Sequence, residues 1–315
     1  MTTRDGTVDS TMLIRHLTFF IALAREGHFA KAAKACNITQ PTLSAALRKL
    51  EEDFGARLVL RGQQFTGLTP EGERVLAWGQ QIVSDYESLK NDLTSVTHGL
   101  SGTLRLGVIP AAMPVAGFVT DSFRDAHPAS FIEIISMTSR QIQGGLDSLE
   151  LHGGITYLEN EPLERVVRLP LYRERYVVIA RRDRFEDEAS IDWQTIRGCP
   201  LCLLSTDMQN RRILDAIAES HGMRLQPAIV SNSFLAICSH LRRGNWISIV
   251  PHTLPYLFGL SPELVAIEIA HETPSQSLGL VIPNRRHLAK MTNALFGTVT
   301  KSNLAADIEA ACLSA

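Results

Sequence analysis

The sequence predicts a multidomain protein that combines an α-helical region with a larger α/β region. Three observations lead to this prediction. The chain has 315 residues, enough for two or three domains that each bury a core. Through about the first hundred residues, apolar side chains recur at helical spacing. After residue 103, short apolar and β-branched runs alternate with helical stretches, which is typical of an α/β fold.

The composition is that of a globular protein, with 45% hydrophobic and 20% charged residues and a formal net charge of −2. The charge is unevenly distributed. Residues 1–70 hold 9 Lys and Arg against 6 Asp and Glu, whereas residues 71–97 hold 2 against 5. A local basic patch in a nearly neutral chain suggests a polyanionic partner at one place, although a solvated helix face accounts for the charge equally well.

No membrane or secretory segment is predicted. The start, MTTRDGTVDSTML, has no apolar core of a signal peptide, and no run of 18 apolar residues occurs. The five cysteines are an odd and scattered set, which indicates mostly free thiols in a reducing cytoplasm.

The first two helices are short and closely spaced. Apolar residues predict a helix from Met12 to Arg25, and Gly27 is suited to end it. A second, alanine-rich helix is expected over Phe29–Cys36, and its small residues allow another helix to approach closely. Asn37 marks the turn that follows.

The third helix is predicted from Gln40 to about Asp53, with Thr39 as its N-cap and Pro41 in its first turn. One stripe faces the core and consists of Leu43, Leu47, Leu50 and Phe54. The opposite face presents small, hydrogen-bonding or basic groups, namely Pro41, Ser44, Ala45 and Arg48, with Gln40 and Thr42 beside its start. Such a helix fits the DNA major groove, where Gln, Ser, Thr and Arg read base edges or hold phosphates.

Residues 56–68 predict a hairpin around Arg61-Gly62-Gln63-Gln64, as in the wing of a winged helix-turn-helix. From IRHLTFF through LEEDFGARL to LTPEGERVL, the region resembles the DNA-binding domain of LysR-type transcriptional regulators. The resemblance implies a DNA-binding domain over 12–68 and contacts from Lys31, Thr39, Gln40, Pro41, Thr42, Ser44, Arg48, Lys49 and Arg61. The chain has His28 where the family often has Ser, and Ala45 where it often has Arg.

A long helix is predicted over 69–97, capped by Thr69 and opened by Pro70. Its apolar stripe has no sequence-adjacent partner, which favours a dimer seam over packing within the chain. The seam residues are Ile82, Tyr86, Leu89 and Leu93. The family resemblance likewise implies a linker helix that pairs two DNA-binding domains.

Residues 98–102 are expected to form a hinge, and the chain beyond them to form mainly parallel sheets. The predicted strands are LRLGVI (104–109), FIEIIS (131–136), GITYL (154–158), RYVVIA (175–180), PLCLLS (200–205), AIVSN (228–232), WISIV (246–250), LVAIEI (264–269) and SLGLVI (277–282). Helices are expected over Met208–Ser220, Ser233–Arg243 and His287–Phe296.

This region also resembles the LysR-type family, which implies a regulatory domain over 103–303 that is similar to periplasmic binding proteins. The first of its two Rossmann-like subdomains would hold about 103–175 and 270–303, the second about 176–269, and 304–315 would be a C-terminal tail. A small effector, a carboxylate or other anion, would bind in the cleft between them.

Ligands of α/β sheets bind beyond the carboxyl ends of strands. The residues at those ends are Pro110, Ala111, Thr138, Ser139, Ser205, Thr206, Asn232 and Ser233. Thr138 and Ser139 start a helix and offer hydroxyls to an anion, although plain capping requires the same residues. Pro110 and Ala111 stand where the family often has a hydroxyl residue, and Thr156 where Asp is common.

Two features of the sequence bear on other functions. Cys199 and Cys202 form a C-x-x-C, which suggests a thiol or metal sensor, but no second pair exists to complete a zinc site. No phosphate loop, dinucleotide fingerprint or nucleophile elbow indicates an enzyme, so no catalytic residue, metal or cofactor is expected. The expected partners are operator DNA, RNA polymerase and further copies of the chain, which would form a homodimer and homotetramer under allosteric control.

Overall fold

The computed structural model describes residues 10–61, 65–94, 100–159, 163–185, 188–258, 262–270, 274–285 and 288–313. The expected turn at 62–64, residues 95–97 of the expected long helix, the first two hinge residues and His287 lie outside these ranges. The chain forms two compact units, residues 1–97 and 98–315. No helix in the described ranges is both long and apolar enough to cross a membrane.

The first unit contains four helices and a hairpin among its described residues. In chain order they are α1 Ser10–Glu26, α2 Phe29–Ala35, α3 Gln40–Phe54, β1 Val59–Arg61, β2 Phe65–Leu68 and α4 Pro70–Thr94. Strand β1 pairs antiparallel with β2.

The core of this unit confirms most of the predicted α3 stripe. Leu43, Leu47 and Leu50 are buried together with Leu17 and Phe20 of α1. The expectation for Phe54 is wrong, because its side chain is exposed. It is the last residue of α3, and Gly55 ends the helix in the left-handed region at φ 61°, so Phe54 lies beyond the edge of the core.

The first half of α4 packs within its own unit, contrary to the expectation of a fully unpartnered stripe. Val75 and Val83 pack against the core. A Cβ at Gly72 would lie 2.0 Å from the carbonyl oxygen of Leu58, and one at Gly79 would lie 3.0 Å from Leu17 Cδ2. These glycines therefore allow the close approach of α4 to the rest of the unit.

The second unit contains the remaining elements. In chain order they are β3 Gly102–Val108, a 3-10 helix Pro110–Val115, α5 Ala116–Ala126, β4 Ser130–Ser136, α6 Ser139–Asp147, β5 Gly153–Tyr157, β6 Val166–Glu174, β7 Tyr176–Arg181, a 3-10 turn Arg182–Arg184, β8 Ser190–Ile191, α7 Trp193–Arg197, β9 Cys202–Leu204, α8 Gln209–Ser220, β10 Ile229–Ser231, α9 Phe234–Leu241, β11 Ser248–Pro251, α10 Thr253–Phe258, β12 Leu264–Ile269, β13 Gln276–Pro283, α11 Lys290–Lys301 and α12 Leu304–Leu313.

These strands form two main sheets. The first has the order β4-β3-β5-β13-β6, and the second has the order β11-β7-β12-β8 beside the parallel pair β9-β10. A single residue separates β6 from β7, and β12 is followed by β13, so the chain crosses twice between the sheets. We call the half of this unit around the first sheet subdomain I, and the half around the second sheet and the β9-β10 pair subdomain II.

The expectation of mainly parallel sheets is wrong. Strand β3 is parallel to β4 and β5, but β13 is antiparallel to β5 and β6, and β7 is antiparallel to β11 and β12. The physical reason is the double crossing, because strands that enter from the other subdomain run against those already present.

Two further elements were not anticipated. VVRLPLYRE forms the long strand β6, although its charged residues and proline obscured the strand pattern. The expected tail forms helix α12, whose Leu304 and Ile308 are buried in the core of the unit.

Candidate functional site

The start of α3 is fixed by two threonines. Thr39 Oγ1 accepts a hydrogen bond from the Thr42 amide at 3.4 Å, and the two hydroxyls are 2.8 Å apart. Pro41 occupies the first turn, where a backbone N–H is not needed. This local geometry leaves Gln40 exposed at the N-terminus of the helix.

The structure places the predicted DNA-contacting residues of α3 on its exposed face. Pro41, Thr42 and Arg48 are exposed, and Ser44 is half-buried. Lys49 is also exposed, but its ammonium lies 2.7 Å from the Asp53 carboxylate, and this hydrogen bond raises the pKa of Lys49. Lys49 is therefore already paired, whereas Arg48 presents its charge on the outer face.

Helix α2 begins with a histidine cap. His28 Nδ1 accepts a hydrogen bond from the Ala30 amide at 3.1 Å, so His28 replaces the cap usually provided by serine. Lys31 is exposed on this helix. Arg61 ends β1, and its side chain lies outside the described part of the structure.

Helix α4 carries a continuous exposed apolar face. Trp78, Ile82, Tyr86 and Leu89 leave 69%, 39%, 42% and 57% of their surfaces exposed. Three of them were predicted from the sequence; Trp78 was missed, although it lies one helical turn before Ile82. The side chain of Leu93 lies outside the described part of the structure.

In the second unit, the first turns of α6 and α8 meet. Ser139, the first residue of α6, donates its hydroxyl hydrogen to Oε1 of Gln209, the first residue of α8. Thr156 donates to Ser139 Oγ at 3.1 Å, and Gln209 Nε2 donates to the Glu159 carbonyl at 3.2 Å. Since Ser139 and Glu159 belong to subdomain I and Gln209 to subdomain II, the two bonds of Gln209 link the subdomains, whereas the Thr156–Ser139 bond lies within subdomain I.

A small cavity lies at this junction. It has a volume of about 10 Å³, room for a single water-sized group, and its described lining includes Pro110, Ala111, Thr138, Ser139, Tyr157, Gln209 and Asn210. Four of the eight predicted effector residues therefore line one cavity. We call it the junction cavity.

The hydroxyls predicted to hold an anion are already engaged. Thr138 forms a capping box with Gln141: its Oγ1 accepts from the Gln141 amide at 3.3 Å, and Gln141 Oε1 accepts from the Thr138 amide at 2.9 Å. Ser139 is bonded to Gln209. The capping interpretation thus holds for Thr138 but not for Ser139, and an anion at this place would have to displace the Ser139–Gln209 bond.

The other predicted effector residues lie elsewhere. Asn232 and Ser233 line a second cavity of about 270 Å³, which shares Pro110 with the junction cavity and has a largely apolar wall that includes Phe234. We call it the apolar cavity. Ser205 and Thr206 belong to the described lining of neither cavity.

Sequence reasoning missed Tyr157, Gln209 and Asn210. Asn210 Nδ2 lies 2.8 Å from the Tyr157 hydroxyl and 3.3 Å from the Tyr176 hydroxyl. A signal was present in the sequence, because Gln209 and Asn210 open the helix that follows strand β9 in the chain, and ligand-binding side chains of α/β sheets occur beyond strand ends.

Cys199 and Cys202 are both free thiols rather than a disulfide. Cys202 is buried in β9, and burial raises the pKa of its thiol to about 11, which disfavours the reactive thiolate. Cys199 lies before the strand, and its Sγ is 3.2 Å from the Thr195 carbonyl oxygen and 3.1 Å from Arg184 Nη2. Within the described ranges, no group of three or more His, Cys, Asp or Glu residues is suited to hold a metal ion.

Comparison with known proteins identifies both units. Residues 14–73 match the model of the bacterial regulatory helix-turn-helix protein, lysR family, and residues 97–303 match the LysR substrate binding domain. The SDS degradation transcriptional activation protein of Pseudomonas sp. (strain ATCC 19151) is 28% identical over 300 residues, covering 91% of this chain and 95% of the relative. The dual regulator OxyR of Escherichia coli K12 is 28% identical over 173 residues, covering 55% and 56%.

Solved structures agree in fold. A full-length OxyR variant from Pseudomonas aeruginosa superposes with a TM-score of 0.72 at 21% identity, covering 93% of this chain and 96% of that one. CbnR, a LysR family transcriptional regulator, superposes with a TM-score of 0.61 at 17% identity, covering 91% and 98%.

Proposed function

The chain belongs to the LysR-type family of DNA-binding transcriptional regulators, and we propose that a small organic anion, bound between subdomains I and II, switches its action at an operator. One observation carries the proposal: two helix N-termini, one from each subdomain, meet at the Ser139–Gln209 bond. We assign operator binding to residues 12–68, pairing of chains to 69–97 and effector binding to 103–303, with 98–102 as the hinge.

The outer face of α3 supports its role as the recognition helix. Gln40 and Thr42 are exposed at the helix start, where the amide of Gln40 and the hydroxyl of Thr42 are suited to hydrogen-bond with the edge of an adenine base. Arg48 is exposed one to two turns later and suits guanine or phosphate. Lys31 on α2 suits the phosphate backbone, which fixes register without reading sequence.

An anion is favoured at the junction cavity because of the helix ends around it. The first amides of a helix have no i−4 carbonyl partner, and the positive end of each helix dipole lies here; Thr138 caps the Gln141 amide of α6, but no side chain caps the start of α8. The cavity of about 10 Å³ is too small for an organic molecule. Binding therefore requires separation of Ser139 from Gln209, which changes the relation between the subdomains.

The body of the effector fits the apolar cavity. Its volume of about 270 Å³ approaches that of sites for small organic ligands, and its apolar wall complements a short alkyl or aryl group. Pro110 lines both cavities, so the acidic group and the apolar body of one molecule would occupy adjoining spaces. A small carboxylate with a short apolar group satisfies both.

The apolar face of α4 supports pairing of two chains. Side chains of this size remain in water unless a partner covers them, and a two-fold axis would bring the two copies of the face together. Such a pair would present two copies of α3 to successive turns of DNA, about 34 Å apart.

A second interface is favoured at the sheet edges of the second unit. Strands β4 and β10 are edge strands, and they expose Phe131, Ile134 and Val230. We propose that these edges join dimers into a homotetramer. The effector would change the angle between the dimers, the bend of the DNA and the contact with RNA polymerase, provided that it binds one arrangement more tightly.

The effector assignment is tested by a thermal-shift screen of the full-length protein against small carboxylates, inorganic anions and sulfur compounds. A ligand at 100 times its dissociation constant should stabilise the protein by about 2.7 kcal/mol. We expect the Ser139→Ala/Gln209→Leu double variant to lose this shift but to retain DNA binding. Ser220→Ala, at the other end of α8, is the control. Full stabilisation of the double variant would place the effector elsewhere.

A further inference from the structure

A fully buried carboxyl group lies where the chain crosses between the subdomains. Glu174 is the last residue of β6, and β7 begins at Tyr176. Its Oε1 accepts a hydrogen bond from the Tyr157 hydroxyl at 2.6 Å and lies 3.4 Å from Asn210 Nδ2. Its Oε2 is buried and has no hydrogen-bond partner among the described residues.

Two of the hydrogen-bond donors of Glu174, Tyr157 and Asn210, also line the junction cavity. Tyr157 comes from β5 of subdomain I and Asn210 from α8 of subdomain II. Only one side chain, Tyr157 from one subdomain or Asn210 from the other, therefore separates Glu174 from the proposed anion site. A charge on this carboxylate would act across a buried region, where electrostatic interactions are stronger than in water.

The arginines that follow Glu174 and Asn210 in the chain are directed elsewhere. The guanidinium of Arg175 is half-exposed and lies 3.8 Å from the Glu309 carboxylate. The guanidinium of Arg211 is buried, but it binds Asp215 at 2.9 Å and the Leu204 carbonyl at 2.9 Å.

The remaining titratable neighbours are neutral at physiological pH. Burial raises the pKa values of the Tyr157, Tyr172 and Tyr176 hydroxyls, and of the Cys312 thiol on α12. Burial also lowers the pKa of His252, whose Nδ1 accepts from the Arg175 amide. With no compensating cation among the described neighbours, burial raises the pKa of Glu174 itself to about 8.

We propose that Glu174 determines the charge selectivity of the junction cavity, which admits an anion only while Glu174 carries its proton. Two negative charges separated by one side chain in a buried region repel each other, so anion binding and ionisation of Glu174 oppose one another. Glu174 therefore keeps its proton when the effector binds, or takes one up from solvent if it was ionised before binding. The proposal rests on the proposed function, since it assumes that the effector occupies this cavity.

The test uses sulfate as the probe, because its charge does not change between pH 6 and pH 9. The affinity of the full-length protein for sulfate is measured by titration calorimetry across this range. If binding requires protonated Glu174, affinity should fall about tenfold from pH 7 to pH 9 in the native protein. It should stay constant in Glu174→Gln, which is neutral at every pH and keeps the shape of the side chain.

Infrared spectroscopy of the native protein provides a second measurement that does not depend on the variant. The C=O stretch of a protonated carboxyl should disappear as Glu174 ionises, and sulfate should move this transition to higher pH. Glu268→Gln, at an exposed position on β12, should behave as the native protein.

The outcomes separate the two proposals. Sulfate binding with the same pH dependence in the native protein and Glu174→Gln would overturn the role of Glu174 and leave the anion site intact. No sulfate binding to either protein at any pH would overturn both. An infrared transition that sulfate leaves unmoved would also overturn the role of Glu174.

Discussion

Replacing Leu89 by aspartate should break the pairing of chains through α4. Leu89 leaves 57% of its surface exposed, and full burial of a leucine side chain contributes about 1.5–3 kcal/mol, so covering the exposed part contributes about 1–2 kcal/mol. A two-fold interface contains the residue twice, which gives about 2–4 kcal/mol per dimer. At 1.4 kcal/mol for each tenfold change, the dissociation constant of the dimer should rise by at least about 30-fold. The buried charge of the aspartate adds to this loss.

Sedimentation velocity over a concentration series measures the dissociation constant directly. Fluorescence anisotropy on a two-half-site duplex, selected from random sequence by the native protein, should show a parallel loss of affinity. Ala77→Asp is the matched control, since Ala77 is exposed on the side of α4 away from the apolar face. If Leu89→Asp assembles and binds DNA as tightly as Ala77→Asp, then α4 is not the seam. The native protein should contain four chains by light scattering.

The other predictions concern the DNA-binding unit and the buried carboxyl. Gln40→Ala and Arg48→Ala should each weaken operator binding by about 1–3 kcal/mol, and Gln40→Ala should also change the base preference. Lys31→Ala should weaken binding to all DNA sequences alike. Unchanged footprints for both α3 variants would exclude α3 as the recognition helix. His28→Ala should destabilise the protein by about 1 kcal/mol in chemical denaturation, whereas His28→Ser should not, because serine also caps a helix. If the native protein and His28→Ala are equally stable, the His28 cap contributes nothing. Glu174 has a folded pKa of about 8, raised from 4.5, so its contribution to stability is present at low pH and is lost as pH rises toward 8. Between pH 5 and pH 8 the free energy of unfolding of the native protein should therefore fall by about 3–4 kcal/mol relative to that of Glu174→Gln. If the two proteins show the same dependence of stability on pH, the pKa of Glu174 is not raised.

Elements whose signals lie within one or two turns of chain were predicted well. The cap at Thr39, the proline at position 41 and the leucine spacing of α3 act between residues three or four apart, so the sequence predicts the helix and its exposed face. The exposed apolar face of α4 was predicted for the same reason. The prediction that Phe54 is buried was wrong, because a periodic pattern does not indicate where the neighbouring core ends.

The second unit depended more on its tertiary structure. The sequence indicated strands and helices in the correct order but not that β6 exists, that the sheets are mixed or that α12 packs on the core. Strand pairing joins segments far apart in sequence, and its direction depends on where the chain crosses between subdomains.

By itself the sequence determined the family of the protein, helix α3 with its exposed polar face and the strand ends from which ligand-binding residues would come. Only the tertiary structure decided which of those ends meet. Ser139 and Gln209 are 70 residues apart, and the bond between them exists because two crossing strands bring the subdomains together. The same crossing buries Glu174 away from any compensating cation in the described structure, and this environment, rather than the residue type, raises its pKa.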